Sequence, residues 1–254
     1  MHYTSPMTAS AHTAASARRL ISLIDLTSLN EDDDEERIRR LAAMAQVQGT
    51  TVAALCVWPR FVAVATEALG QHAIPVAAVT NFPRGRDGAE EAAAETAAAI
   101  ALGAREIDVV FPYRAFLAGD SETGIDLVRR CREACGHRAR LKVILETGQL
   151  DPAQVRAAGR IAAAAGADFL KTSTGKTQPG ATPAAVAVLL EVLAEARAAG
   201  RALGLKVSGG VRTPDQAQAF VDQYEQAFGV GSAAPEAFRI GASSLLGELR
   251  DRLV

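Results

Sequence analysis

Aromatic residues make up only 5% of this 254-residue chain, although hydrophobic residues make up 49%. Alanine carries much of the difference, and small side chains suit helices packed closely around a sheet. Cysteine is scarce: Cys56, Cys131 and Cys135 are an odd set without CxxC spacing. They give neither a disulfide framework nor a zinc site, and they fit a reducing, cytoplasmic compartment. Cys131 and Cys135 stand one helical turn apart and read as packing, as does Cys56 near the end of an apolar run. The four histidines are His2, His12, His72 and His137; two lie near the N-terminus and two precede strands, so metal chemistry at strand exits finds little support. No apolar run reaches membrane-spanning length. The formal net charge of −2 leaves no basic footprint for nucleic acid. Residues 1–20 lack the apolar core of a secretory signal; they read as a flexible or helical leader, with a transit peptide as the weaker alternative.

What is present is alternation. Short apolar runs begin at Ile21, Val52, Pro75, Glu106, Leu141, Phe169, Leu203 and Phe238, and each is followed by a segment of helical spacing. Asn30–Asp34, Asp87, Asp151-Pro152, Thr182-Pro183 and Thr213-Pro214 supply helix starts, and Gly103 and Gly166 supply stops. The composition does not break and no linker interrupts the series. The pattern predicts an α/β fold with parallel strands and helical crossovers. Eight repeats at this length most simply close into a single (β/α)8 TIM barrel over residues 21–254. An open doubly wound sheet is the alternative, but the first strand is followed by Leu26-Thr27-Ser28-Leu29, without a glycine-rich dinucleotide fingerprint.

Charges fall inside several apolar strands. Asp108 lies in the fourth, Lys142 and Glu146 in the fifth, Lys171 in the sixth and Lys206 in the seventh. A single lysine of this kind is explained by an edge strand from which it reaches water. Lys171 and Lys206 on neighbouring strands, with Asp108 facing them across a barrel, form a set that points to chemistry. At pH 7 fewer than about one ordinary lysine in a thousand is neutral. Desolvation and a second ammonium nearby lower that pKa and free the amine to attack an aldehyde or ketone. The iminium formed serves as an electron sink, and a carboxylate with the second lysine can carry the protons.

The exits of the last two strands read Gly209-Gly210-Val211-Arg212 and Gly241-Ala242-Ser243-Ser244. Each alone is an ordinary turn. Together they occupy the loops where barrel enzymes often bind phosphate.

The segments IDLTSL, CVWPRF, VTNFPRG, EIDVVFPYRA, LKVILETG, GADFLKTSTGK, KVSGGVRT and FRIGASSLL span residues 21 to 247. In these segments the sequence resembles the deoxyribose-phosphate aldolases, class I aldolases with a (β/α) barrel. The resemblance implies reversible cleavage of 2-deoxy-D-ribose 5-phosphate to D-glyceraldehyde 3-phosphate and acetaldehyde, as in deoxyribose phosphate catabolism. It implies Lys171 as the Schiff-base lysine, Lys206 as the perturbing and proton-relaying lysine, and Asp108 as their partner. Lys176, Gly209, Gly210, Arg212, Gly241, Ser243 and Ser244 match positions around the substrate phosphate, and Asp25 and Thr27 match pocket-lining residues of the first strand. No metal or organic cofactor is implied, nor a membrane or nucleic-acid partner, and a homodimer is compatible. Where many members have Lys-Pro-Ala-Gly-Gly, this chain has Lys206-Val207-Ser208-Gly209-Gly210, keeping the lysine and both glycines. A transaldolase-like enzyme and a catalytically idle sugar-phosphate sensor are the competing readings.

Overall fold

The computed structural model describes residues 6–86 and 88–253. Eight parallel strands close into a barrel in chain order. They are β1 (Ile24–Thr27), β2 (Ala54–Val57), β3 (Val76–Thr80) and β4 (Glu106–Val110). β5 (Arg140–Ile144), β6 (Phe169–Lys171), β7 (Gly204–Ser208) and β8 (Phe238–Ala242) complete the ring. β1 closes it by pairing with β2 on one side and β8 on the other. The expected (β/α)8 barrel is therefore the fold.

Helices lie outside the strands, and most pack on the barrel while α5 and α10 pack on neighbouring helices. They include α1 (Pro6–Ser22), α2 (Glu35–Met44), α3 (Val62–Leu69) and α4 (Ala89–Ala101). α5 (Tyr113–Leu117), α6 (Ser121–Cys135) and α7 (Pro152–Ala164) follow. α8 (Pro183–Ala198), α9 (Pro214–Phe228) and α10 (Leu245–Arg250) end the series. The caps read from the sequence form at Asp34, Asp151, Thr182 and Thr213, and two of these, Asp151 with Gln154 and Thr213 with Gln216, are reciprocal capping boxes. The cap expected at Asp87 lies outside the described residues.

The first strand departs from expectation. Ile21 and Ser22 end α1, and β1 starts at Ile24. Short apolar runs do not separate helix from strand by pattern alone. Leu20 and Ile21 are buried as helix residues, and Arg19 anchors this end of α1 by pairing with Glu225 of α9. β5 also stops early: it ends at Ile144, and Glu146 adopts a left-handed backbone with φ of 55°.

Side chains that alternate outward, such as Leu55, Ile107, Val143, Leu205 and Val207, join the main core under the helices. The inward side chains divide the barrel in two. β2 and β3 contribute Ala54, Cys56, Ala77 and Val79, a small apolar cluster with Leu29. The remaining strands turn charged groups inward. Gly204 makes room among them, because a Cβ there would lie 2.4 Å from the Phe169 ring.

Gly204→Ala is expected to lower stability by about 1–3 kcal/mol through overpacking. Urea denaturation measures it, and Phe169→Leu in the same chain should recover part of the loss; equal stability of wild type and Gly204→Ala would contradict the packing argument.

Candidate active site

Register places the charged groups. Lys171 of β6 stands beside Lys206 of β7, and Lys206 beside Arg239 of β8. Asp108 of β4 stands beside Lys142 of β5. Asp108 is the hub. Its Oδ1 accepts from Lys142 Nζ at 2.8 Å, and its Oδ2 accepts from Lys171 Nζ at 2.8 Å and Lys206 Nζ at 2.7 Å.

Two further carboxylates sit below. Asp25 Oδ2 is 2.5 Å from Lys206 Nζ and 3.2 Å from Lys142 Nζ, contacts held by charge rather than by well-directed hydrogen bonds. Its Oδ1 accepts from Arg239 at 2.6 Å. Glu106 lies 2.5 Å from Lys142 Nζ and accepts from Arg239 at 3.0 Å. Lys142 and Lys206 are wholly buried, and Lys171 is 3% exposed. Gly241 leaves space for this stack, since a Cβ there would be 3.1 Å from Lys206 Cε.

The environment separates the three lysines. Burial lowers the pKa of Lys171, Lys206 pushes it further down, and Asp108 opposes both without overcoming them. Burial also works against the ammonium of Lys206, but Asp108 and Asp25 outweigh it and raise its pKa. Lys142 is raised for the same reason by Asp108, Asp25 and Glu106. Burial alone would raise Asp25 and Asp108, yet the surrounding cations hold both well below the usual carboxylate range.

Above Lys171 a cavity of about 260 Å³ opens at the strand exits. It is lined by Thr27, Lys171, Lys176, Gly209, Gly210 and Arg212, and by Gly241, Ser243 and Ser244. Lys206 and Asp108 lie beneath it rather than on its wall. Asp25, expected to line the pocket, instead sits in the ionic column. The exit loops are knit together: Thr172 Oγ1 donates to Ser208 O at 3.0 Å, and Ser208 Oγ donates to Ser173 O at 2.5 Å. Buried Glu146 accepts from the Thr174 backbone N–H at 3.2 Å and from its hydroxyl at 2.5 Å. Lys176 reaches across the mouth to donate to Leu29 O at 2.7 Å. Gly209, with φ of +91°, passes so close to Gly180 that a Cβ would lie 2.9 Å from its Cα.

A larger cavity, about 720 Å³, opens at the opposite end of the barrel between residues such as His72, Arg105 and Arg140. It touches the foot of the column at Glu106 and Arg239 but does not reach Lys171. The smaller cavity is the candidate active site because the lysine with the depressed pKa opens into it. All three cysteines are free and buried; burial pushes the thiol of Cys56 up, and those of Cys131 and Cys135 to about 11 and about 12.

Arg239 and Glu106 are not among the site residues expected from the sequence. The signal was available: Glu106 shares a strand face with Asp108, and Arg239 shares one with Gly241.

A parallel barrel with a buried lysine opening at the C-terminal ends of its strands defines an enzyme site. Residues 19–248 match the DeoC/LacD family of aldolases, and the chain belongs to that family. It is similar to a provisionally assigned deoxyribose-phosphate aldolase of Toxoplasma gondii ME49, with 26% identity over 96% of each chain and a TM-score of 0.87. A provisionally assigned deoxyribose-phosphate aldolase of Coccidioides immitis is 30% identical, over 92% of this chain and 87% of that one, with a TM-score of 0.81. The tetrameric deoxyribose phosphate aldolase of Aeropyrum pernix is 25% identical, over 98% and 97%, with a TM-score of 0.76. Among the described residues, no helix is long and apolar enough to cross a membrane.

Asp25→Ala is expected to cost about 3–5 kcal/mol by leaving buried cations short of a carboxylate. Chemical denaturation measures it; a loss within 0.5 kcal/mol, roughly that of an ordinary surface change, would remove Asp25 from the column's support.

Proposed function

We propose that this aldolase cleaves 2-deoxy-D-ribose 5-phosphate reversibly to D-glyceraldehyde 3-phosphate and acetaldehyde through a Schiff base on Lys171. The observation that carries the reading is that Lys171 alone of the three interior lysines lines the exit cavity. It is also the one whose pKa is lowered, whereas those of Lys142 and Lys206 are raised. Position and protonation thus agree on one nucleophile.

The neutral amine attacks the C1 aldehyde of the open-chain sugar, and loss of water gives an iminium. The C2–C3 bond then breaks, its electron pair moving toward the iminium while the C3 hydroxyl gives up its proton. D-Glyceraldehyde 3-phosphate leaves and an enamine remains. Protonation at C2 and hydrolysis release acetaldehyde and restore the amine. Lys206, held protonated by Asp108 and Asp25, shares Asp108 Oδ2 with Lys171 and serves as the proton donor. Asp108 remains a carboxylate that steadies the cationic intermediate and holds Lys206 in place to carry protons.

At the other end of the substrate, Lys176 and Arg212 supply positive charge. Backbone N–H groups near Gly209, Gly210 and Gly241, with the hydroxyls of Ser243 and Ser244, supply donors for a phosphate. Thr27 faces the sugar between the two ends. This assignment fits a cavity whose lining includes Lys176, Arg212, Ser243 and Ser244.

Borohydride with acetaldehyde should leave a two-carbon adduct on Lys171, found by peptide mass mapping. An adduct confined to Lys142 or Lys206 would refute the nucleophile. Lys171→Met should be inactive at every pH. Lys206→Met removes a positive charge, so the pKa of Lys171 should rise, and activity lost at pH 7 should return in part as pH increases. A wild-type pH–rate profile in Lys206→Met would show that Lys206 does not tune the amine.

The phosphate assignment has its own test. Arg212→Gln and Ser243→Ala should raise KM for the phosphorylated sugar by roughly 10-fold, about 1.4 kcal/mol each, as expected for charge-assisted or backbone-like contacts. KM for unphosphorylated 2-deoxyribose should hardly move. Parallel losses on both substrates would place these residues elsewhere in the reaction.

A further inference from the structure

The interior column contains more cations than anions. Lys142, Lys171, Lys206 and Arg239 face only Asp25, Glu106 and Asp108. A net charge in a buried site is costly, so the arrangement with one proton removed is favoured. Arginine does not give up its proton in proteins. The proton must therefore leave a lysine.

Geometry selects which lysine. Lys142 contacts all three carboxylates. Lys206 contacts Asp25 and Asp108. Lys171 contacts Asp108 alone, and shares that oxygen with Lys206. Lys171 loses least attraction on becoming neutral.

Arg239 is built into its place. Its Nε donates to Pro235 O, its guanidinium meets Asp25 and Glu106, and its Cζ lies 5.7 Å from the centre of the Phe169 ring. It is 2% exposed and stands one strand beyond Lys206, two strands from Lys171.

We propose that Arg239 is a positioning residue that sets the protonation state of Lys171: as the permanent fourth cation of a column with three carboxylates, it makes the neutral column the one in which Lys171 is a free amine. This rests on Lys171 being the Schiff-base lysine. The titratable and charged groups around Lys171 are accounted for strand by strand. They are Asp25 on β1, Cys56 on β2, Glu106 and Asp108 on β4, Lys142 on β5, Lys206 on β7 and Arg239 on β8. Beyond the strand ends, Glu146 is buried against Thr174, and Lys176 and Arg212 are exposed at the cavity mouth, outside the column. β3 turns only Ala77 and Val79 inward. Cys56 is wholly buried and adds no charge as a neutral thiol. Arg140, 3.8 Å from Glu106, is exposed at the barrel foot and is screened by solvent.

The count predicts opposite effects for two substitutions. Arg239→Met leaves three cations and three carboxylates, a neutral column only when Lys171 is protonated. The acidic limb of kcat/KM, which reports the free enzyme's essential amine, should move up by about one pH unit, with activity recovering at high pH. Arg239→Lys restores a cation and should return the midpoint most of the way. Glu106→Gln keeps the shape but removes a negative charge, and should move the midpoint down.

The experiment is the pH dependence of kcat/KM for these three variants and wild type, alongside reductive trapping with acetaldehyde and mapping of the adduct in wild type. Opposite shifts in Arg239→Met and Glu106→Gln, with return in Arg239→Lys, support the proposal. A lower rate at an unchanged midpoint in Arg239→Met, or shifts of the same sign in Arg239→Met and Glu106→Gln, would overturn it. If Arg239→Met does not fold, Glu106→Gln decides: a downward shift supports the proposal, and an unchanged or raised midpoint overturns it. With the adduct on Lys171, unshifted midpoints refute the charge count alone. Its absence from Lys171 refutes the nucleophile as well, and both readings fall together.

Discussion

Asp108 holds three lysine side-chain nitrogens with one carboxylate in the middle of a closed barrel. Everything else in the interior depends on that arrangement. A buried charge must be paired or it is forced to neutralise, and breaking one pair strands the others. Asp25 and Glu106 extend the pairing downward, and Arg239 ties the two together at the base. Lys171 sits at the top, where its pairing is weakest and the cavity begins.

The division of the barrel interior serves the same end. Most barrels fill this space with branched apolar side chains in layers. Here β2 and β3 do so with small residues, and β6 adds Phe169. Charged side chains from β1 and from β4 to β8 need both the volume those small residues leave and the openings at Gly204 and Gly241. Packing and electrostatics are therefore one problem in this interior, since a change of volume would also change the distances on which the pairing depends. The exit loops form a second, more polar layer. Their mutual hydrogen bonds, with buried Glu146 gripping Thr174, fix a basic mouth above a nearly dry amine.

Much of this was legible before any coordinates. The alternation of apolar runs and helix signals specified the barrel, because parallel strands with helical crossovers have few ways to close at this length. Pro and Asp or Thr at helix starts marked α7, α8 and α9 because capping chemistry is local. Lysines and an aspartate inside apolar strands marked the site because such residues are rarely buried without a purpose. The misplacement of β1 had an equally local cause, since Leu20 and Ile21 satisfy a buried helix face as well as a strand.

The sequence by itself determined the order of elements, the strand faces and the identity of the charged groups, because these follow from periodicities of two and of about 3.6 residues. It could not rank three lysines. Only the tertiary structure decided that Lys171 meets one carboxylate while Lys142 meets three, that Asp25 supports the column rather than the pocket, and that Arg239 belongs to the set at all. The physical reason is that a pKa depends on distances between strands far apart in the chain, and those distances exist only once the barrel has closed.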